Sequence, residues 1–220
     1  MKYLYPELSP KLRFTKILEL HILPKLENQG FKLLKTGPSL KKVQNGFEFH
    51  IIFEGRKFNV ENYICRFNPS FYVTNSSLRK YLKKNPSLLG GSEIVGKTMG
   101  IQHWDKSIFS NNDSEAYFLE DNDFAKYDNE FLVKETIKNI IEVGNPFFEM
   151  MSNFETIKKF HFKNQNLVSA PMLIDLCYVL NLKNEIQPIF DWYYSLNDGC
   201  SELLEEKMKL RKDNLKKGID

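Results

Sequence analysis

Apolar and polar residues alternate through residues 47–54. Phe47, Phe49, Ile51 and Phe53 fall on one parity, and Glu48, His50, Ile52 and Glu54 on the other. A period of two is the pattern of a strand with one buried face. Asn45-Gly46, just before this run, is the strongest local hairpin signal in the chain and predicts pairing with a strand over 40–44. A short strand over 31–35 precedes it, with Thr36-Gly-Pro-Ser39 as the turn. Beyond Gly55-Arg-Lys, an aromatic and β-branched run over 58–74 completes a meander of about four antiparallel strands. Its apolar phase shifts near Asn62, from Phe58 and Val60 to Tyr63, Cys65 and Phe67, and a bulge accounts for the shift.

Helical periodicity brackets this sheet. Phe14, Ile17, Leu18 and His21 recur at helical spacing over 10–29, with Ser9 as cap and Pro10 in the first turn. Pro24 predicts a kink or restart, and Gly30 the stop. Ser77 is expected to cap a short helix that ends near Asn85-Pro86. Residues 86–128 are interrupted by glycines, with one short strand expected at 116–119. From Asn129 the period is helical again, with a stop expected near Gly144-Asn-Pro146. Further helices are predicted over 147–162, from Ser169, over 186–196 and over 201–217. The fold class is therefore α+β: an N-terminal helix packed on an antiparallel β-meander, followed by a helical C-terminal region. The expected division is an α+β domain at 1–128 and a helical region at 129–220.

Composition narrows the picture. With 42% apolar residues and 18 Phe among 220, the chain has ample material for a core. No run approaches the roughly 18 consecutive apolar residues of a membrane helix. The first ten residues lack the apolar stretch of a signal peptide, so a cytoplasmic protein is expected. Cys65, Cys177 and Cys200 are widely spaced with no C-x-x-C pair, and are read as reduced core thiols. Enrichment in Lys, Asn, Ile and Phe suggests an AT-rich bacterial genome. The net charge of +3 conceals an asymmetry: residues 1–110 hold 18 Lys/Arg against 8 Asp/Glu (+10), residues 111–220 hold 13 against 20 (−7). Either the halves neutralise each other, or the basic half meets an acidic partner, protein or nucleic acid.

Candidate chemistry is sparse. Gly91-Ser-Glu-Ile-Val-Gly96-Lys97-Thr98 fits the phosphate-loop pattern, in which Lys97 would reach phosphate oxygens and Thr98 would ligate Mg²⁺. It lacks the preceding buried strand and the following helix that the chemistry requires, so no cofactor is assigned. His21, His50, His103 and His161 show no zinc-ligand spacing, and no metal is assigned. His103-Trp-Asp105 pairs a base with a carboxylate but lacks a nucleophile. Asp121-Asn-Asp123 opens like a Ca²⁺ loop and then fails, which leaves a solvated acidic turn. Arg56, Lys57, Arg66, Tyr72, Arg79 and Lys80, among other cations and rings, mix bases with aromatics as nucleic-acid binders do. Strand alternation instead places the rings in the core and the cations in solvent.

The stretch 12–75 resembles an uncharacterised bacterial domain family. The resemblance rests on Ile22-Leu-Pro-Lys-Leu26, then Asn28-Gln-Gly-Phe31, then strands rich in Phe and Val. Members of that family are often annotated near polymorphic toxins, which implies an immunity or partner-binding role. The expected function is a non-enzymatic, protein-binding module. Its candidate surface is the exposed face of the sheet and the basic segment after it: Arg56, Lys57, Arg66, Tyr72, Arg79 and Lys80. Nucleic-acid binding is the alternative, and a phosphate-loop NTPase the third reading.

Overall fold

A computed structural model of the chain describes residues 2–55, 59–60, 64–88, 91–97, 123–196 and 201–216. The expected bulge at Asn62, the strand at 116–119, and His103-Trp-Asp105 lie outside the described residues. The architecture is α+β: N-terminal helix, five-stranded antiparallel sheet in the order β1-β2-β3-β4-β5, then helices. The strands are β1 (Lys32–Leu33), β2 (Ser39–Gln44), β3 (Phe47–Gly55), β4 (Phe67–Asn75) and β5 (Ile94–Lys97). The chain forms two compact units that are not consecutive in sequence. One comprises 1–73 with 97–149, the other 74–96 with 150–220.

In the first unit, the β2–β3 register follows from the turn chemistry. Asn45 and Gly46 have φ of 51° and 79°, the left-handed pair that a tight two-residue hairpin demands. Gln44 then faces Phe47, Lys42 faces Phe49 and Leu40 faces Ile51. Phe47, Phe49, Ile51 and Phe53 are all buried, as their parity predicts.

Helix α1 (Pro10–Ile17) lies under this sheet. Phe14 is fully buried, stacked on Phe67 at 4.5 Å, tilted against Phe53 and edge-to-face with Phe124, each at 5.1 Å. A second ring cluster surrounds Phe148, with Phe31, Phe49, Phe71 and Phe147 between 5.3 and 5.9 Å away. Arg13 is buried beside Phe14. It donates through Nε to the Leu4 carbonyl at 2.8 Å, and through Nη2 to the Phe124 carbonyl at 2.7 Å and Asn129 Oδ1 at 3.1 Å. One guanidinium thus ties the N-terminal segment and α1 to the entrance of α4 (Asn129–Asn139).

Two prolines receive the same structural treatment. Pro24 does restart the helix: a π segment, Leu18–Ile22, separates α1 from α2 (Leu23–Leu26). Gly144-Asn-Pro146 does not stop its helix. A π segment, Ile140–Gly144, carries α4 directly into α5 (Asn145–Met150). Proline has no N–H to bond back one turn. In both places the widened turn bonds five residues back instead, Leu23 N to Leu18 O and Asn145 N to Ile140 O, just ahead of the proline. Gly144 has its own reason to be small, because a Cβ there would lie 2.7 Å from the Phe71 ring.

In the second unit, α3 (Ser76–Lys84) is capped by Asn75, not Ser77: Asn75 Oδ1 accepts from Leu78 N at 2.9 Å. The stretch expected as one helix over 147–162 breaks after Met150, and α6 (Phe154–Lys163) restarts at an Asn153 cap. Helices α7 (Ala170–Val179), α8 (Ile186–Ser195) and α9 (Glu202–Lys216) follow as the spacing predicts. Helix α7 is buried along most of its length, the reason its sequence is apolar on nearly every side, with Asp175 as the exception. Asp175 is fully buried within it, gripped from α9 by Arg211 through Nε–Oδ1 at 2.8 Å and an Nη2–Oδ2 contact.

His161 joins α6 to β5. Its Nε2–H donates to the Val95 carbonyl at 3.0 Å, while Nδ1 accepts from the Asn166 amide at 3.2 Å. Both bonds use the neutral ring, and burial pushes the imidazole pKa down, with the Val95 carbonyl opposing. A folded pKa below the unfolded value of about 6.5 gives stability that is complete above that value and falls as pH drops through the folded pKa. Urea midpoints should therefore fall between about pH 7.5 and about pH 5.5, with a shallower fall in His161→Gln. Identical pH slopes in the two proteins would exclude His161 as the cause.

Candidate partner-binding surface

The strand alternation that buries Phe47 and Phe49 presents Glu48, His50, Ile52 and Glu54 on the opposite, outer face of the sheet. Register adds the β2 residues of the same face: Lys41 stands opposite His50, Val43 opposite Glu48 and Ser39 opposite Ile52. Lys41 Nζ lies 3.0 Å from Glu48 Oε1, and His50 Nε2 lies 3.6 Å from Glu48 Oε2. Further across, the Tyr72 hydroxyl donates to Glu54 Oε1 at 2.8 Å, and Lys97 Nζ sits 4.7 Å from the centre of the Tyr72 ring. Burial, ahead of its hydrogen bonds, raises the Tyr72 pKa. The face thus carries one ion pair, Lys41–Glu48, and a carboxylate held by a tyrosine hydroxyl, flanked by two exposed aliphatics, Val43 at 62% and Ile52 at 37% exposure.

The residues singled out from sequence are distributed as follows. Arg56 and Lys57 lie outside the described residues. Arg66 is drawn onto a buried carboxylate, with Nε 3.2 Å from Asp123 Oδ2, and its main-chain N–H donates to Asn59 Oδ1 at 2.9 Å. Tyr72 belongs to the outer-face network. Arg79 pairs with Glu93 and donates to Thr74 Oγ1 at 3.3 Å. Lys80 is exposed on α3. Arg66 and Tyr72 belong to the first compact unit, Arg79 and Lys80 to the second. Neighbouring rings are engaged within the protein: Phe67 and Phe71 are buried, and Tyr81 stacks on Tyr178 at 6.0 Å.

Sequence reasoning missed Lys41 and Val43 as members of the face. The signal existed, because the Asn45-Gly46 turn fixes which β2 parity faces outward. Lys97 fits a phosphate-loop pattern in the sequence, and its place over Tyr72 depends on the fold.

The second half of the phosphate-loop pattern does not take a loop conformation. Ile94–Lys97 is strand β5, and Gly96 is required there because a Cβ would lie 2.6 Å from Met151 Sδ. Gly91 is packed against Leu82, 2.2 Å from where its Cβ would be. A phosphate cradle needs consecutive N–H groups converging on one point, whereas a strand points them alternately to either side. Gly91, Gly96 and Lys97 do not form one; Thr98 lies outside the described residues. Asp123 corrects the expectation of a solvated turn. It is fully buried, with Oδ1 accepting from Cys65 N at 2.9 Å and Ala125 N at 3.0 Å, so its oxygens are occupied by the protein itself. Among the described residues, no three His, Cys, Asp or Glu side chains converge as a metal site.

The two described cysteines are poor nucleophiles. Burial pushes Cys65 to about 11 and Cys177 to about 12, so both stay protonated at neutral pH. A cavity of about 380 Å³ at the start of α1 is walled by Pro10, Pro38, Phe53 and Phe67. Its one amide, Asn59, is committed to the main chain of Arg66. Among the described residues no helix is long and apolar enough to cross a membrane. Compared with known proteins, the chain matches no family model, no curated protein and no solved structure.

Proposed function

We propose that the protein is a non-enzymatic, cytoplasmic module that binds another protein, of the immunity type that the resemblance of residues 12–75 implies. The observation that carries this reading is the outer face of β2–β4. Exposed Val43 and Ile52 flank a Lys41–Glu48 ion pair and a Glu54 carboxylate that accepts from the Tyr72 hydroxyl, so a partner that covers the face meets charges already partly compensated. Protein is favoured over nucleic acid because Phe67, Phe71 and Tyr81 are engaged internally and are not offered for base stacking.

The test is affinity capture of the tagged protein from its own host's lysate, with and without nuclease. A single stoichiometric protein should survive nuclease and be lost from the Val43→Lys/Ile52→Lys variant. Each added ammonium would be buried unpaired in the complex, so the loss should exceed tenfold, or ~1.4 kcal/mol. Capture that disappears with nuclease would replace this reading by nucleic-acid binding. Capture undiminished in the variant would remove the sheet face as the surface.

A further inference from the structure

Helix α3 carries four cations and no acidic residue. One of them, Arg79, is neutralised by Glu93. Lys80, Lys83 and Lys84 are exposed, and none of them takes part in an ion pair among the described residues. Elsewhere in the same unit, Lys158 pairs with Glu155 and Glu185, Arg211 pairs with Asp175, and Lys212 lies over the Tyr194 ring. Spacings of three and four residues place the three ammonium groups along one side of the helix. Lys80 and Lys84, four apart, repel each other, and that repulsion is relieved by an anion seated between them. Lys83 and Lys84 also favour the C-terminal end of the helix dipole, a role in which Lys80 has no share.

The row stands on a fixed support. Asn75 caps the helix, Leu78 is fully buried, and Tyr81 stacks on Tyr178 of α7. Ammonium groups on a fixed helix, with Lys80 about one turn from Lys83 and Lys84, are complementary to carboxylates repeated at the same interval. We infer that Lys80, Lys83 and Lys84 form a docking surface for an acidic segment of a protein partner, one that carries Glu or Asp at helical spacing. A nucleic acid would find cations here but no free ring beside them, since Tyr81 is already stacked. The inference rests on the partner-binding reading only in taking the occupant to be a protein. It does not depend on the sheet face.

The experiment uses the full chain and a fluorescent peptide of about 15 residues with Glu at every fourth position, measured by anisotropy. Its Gln counterpart, a single-stranded oligonucleotide of equal charge and phosphatidylserine vesicles are run beside it. The Glu peptide should bind, should weaken as salt shortens the Debye length below about 8 Å, and should lose at least about tenfold in affinity for Lys80→Glu/Lys83→Glu/Lys84→Glu. The milder Lys→Gln triple variant should show a smaller loss with an unchanged thermal midpoint, which separates binding from folding. Lys134→Glu/Lys138→Glu on α4 should bind the peptide like the parent. Val43→Lys/Ile52→Lys should also bind it normally, so failure of the sheet-face reading is distinguishable from failure here. Undiminished binding to both α3 variants, equal binding of the Gln peptide, or tighter binding of the oligonucleotide or the vesicles would overturn the inference.

Discussion

Arg211→Met should destabilise the protein by ~3–5 kcal/mol in urea titrations, because it strands a buried carboxylate. Arg211 and Asp175 are both about 1% exposed and bonded through two nitrogens to two oxygens. Arg211 also donates to the carbonyls of Pro171 and Lys207, which the variant would leave short of a donor. Burial already pushes the Asp175 pKa up, and Arg211 is what opposes it. Without Arg211 the folded pKa, already above the unfolded value of about 3.9, rises further. A raised folded pKa gives stability that is present below the unfolded pKa and lost as pH rises through the folded one. The defect of Arg211→Met should therefore be smallest near pH 4 and grow toward neutrality. Asp175→Leu/Arg211→Met should recover most of the loss, since an apolar pair needs no charge compensation. A single variant with a pH-independent defect would show that α9 is held by packing, through Leu204 and Met208, and not by this pair.

Phe14→Ala should cost a similar ~3–5 kcal/mol by the same measurement. Its ring is fully buried and contacts three others, Phe53 from β3, Phe67 from β4 and Phe124 from the segment before α4. Removing it takes away the buried ring surface and leaves a cavity whose walls belong to separate elements. Those walls cannot close without moving the sheet. Phe14→Leu should cost distinctly less, because most of the volume is kept. Equal losses for Ala and Leu would mean that ring stacking outweighs volume at this site.

Much of the fold was legible in local chemistry. The hairpin and its register follow from Asn45-Gly46 and the parity of Phe47 to Phe53. The late helices follow from spacing, because a half-buried helix writes its period into the sequence. Legibility failed where a residue's neighbours are remote. Gly144-Asn-Pro146 reads as a stop by local rules, but Phe71 requires the glycine and a π turn absorbs the proline. Asp123 reads as a solvated acid, yet Arg66 and the main chain of Cys65, far away in sequence, enclose it. Gly96-Lys97 reads as a phosphate loop, while Met151 and Tyr72 explain both residues within a strand.

The same division holds for the candidate surface. Sequence alone determined that Glu48, His50, Ile52 and Glu54 share a face, since strand parity is a property of the backbone. It also placed Lys80, Lys83 and Lys84 on one side of a helix. Only the tertiary structure decided which cations are available. Arg66 and Arg79 are drawn to Asp123 and Glu93, whereas among the described residues no carboxylate pairs with the α3 lysines Lys80, Lys83 and Lys84. Pairing is a matter of a few ångströms between groups separated along the chain. No local pattern encodes that distance; the packing of elements within each unit sets it.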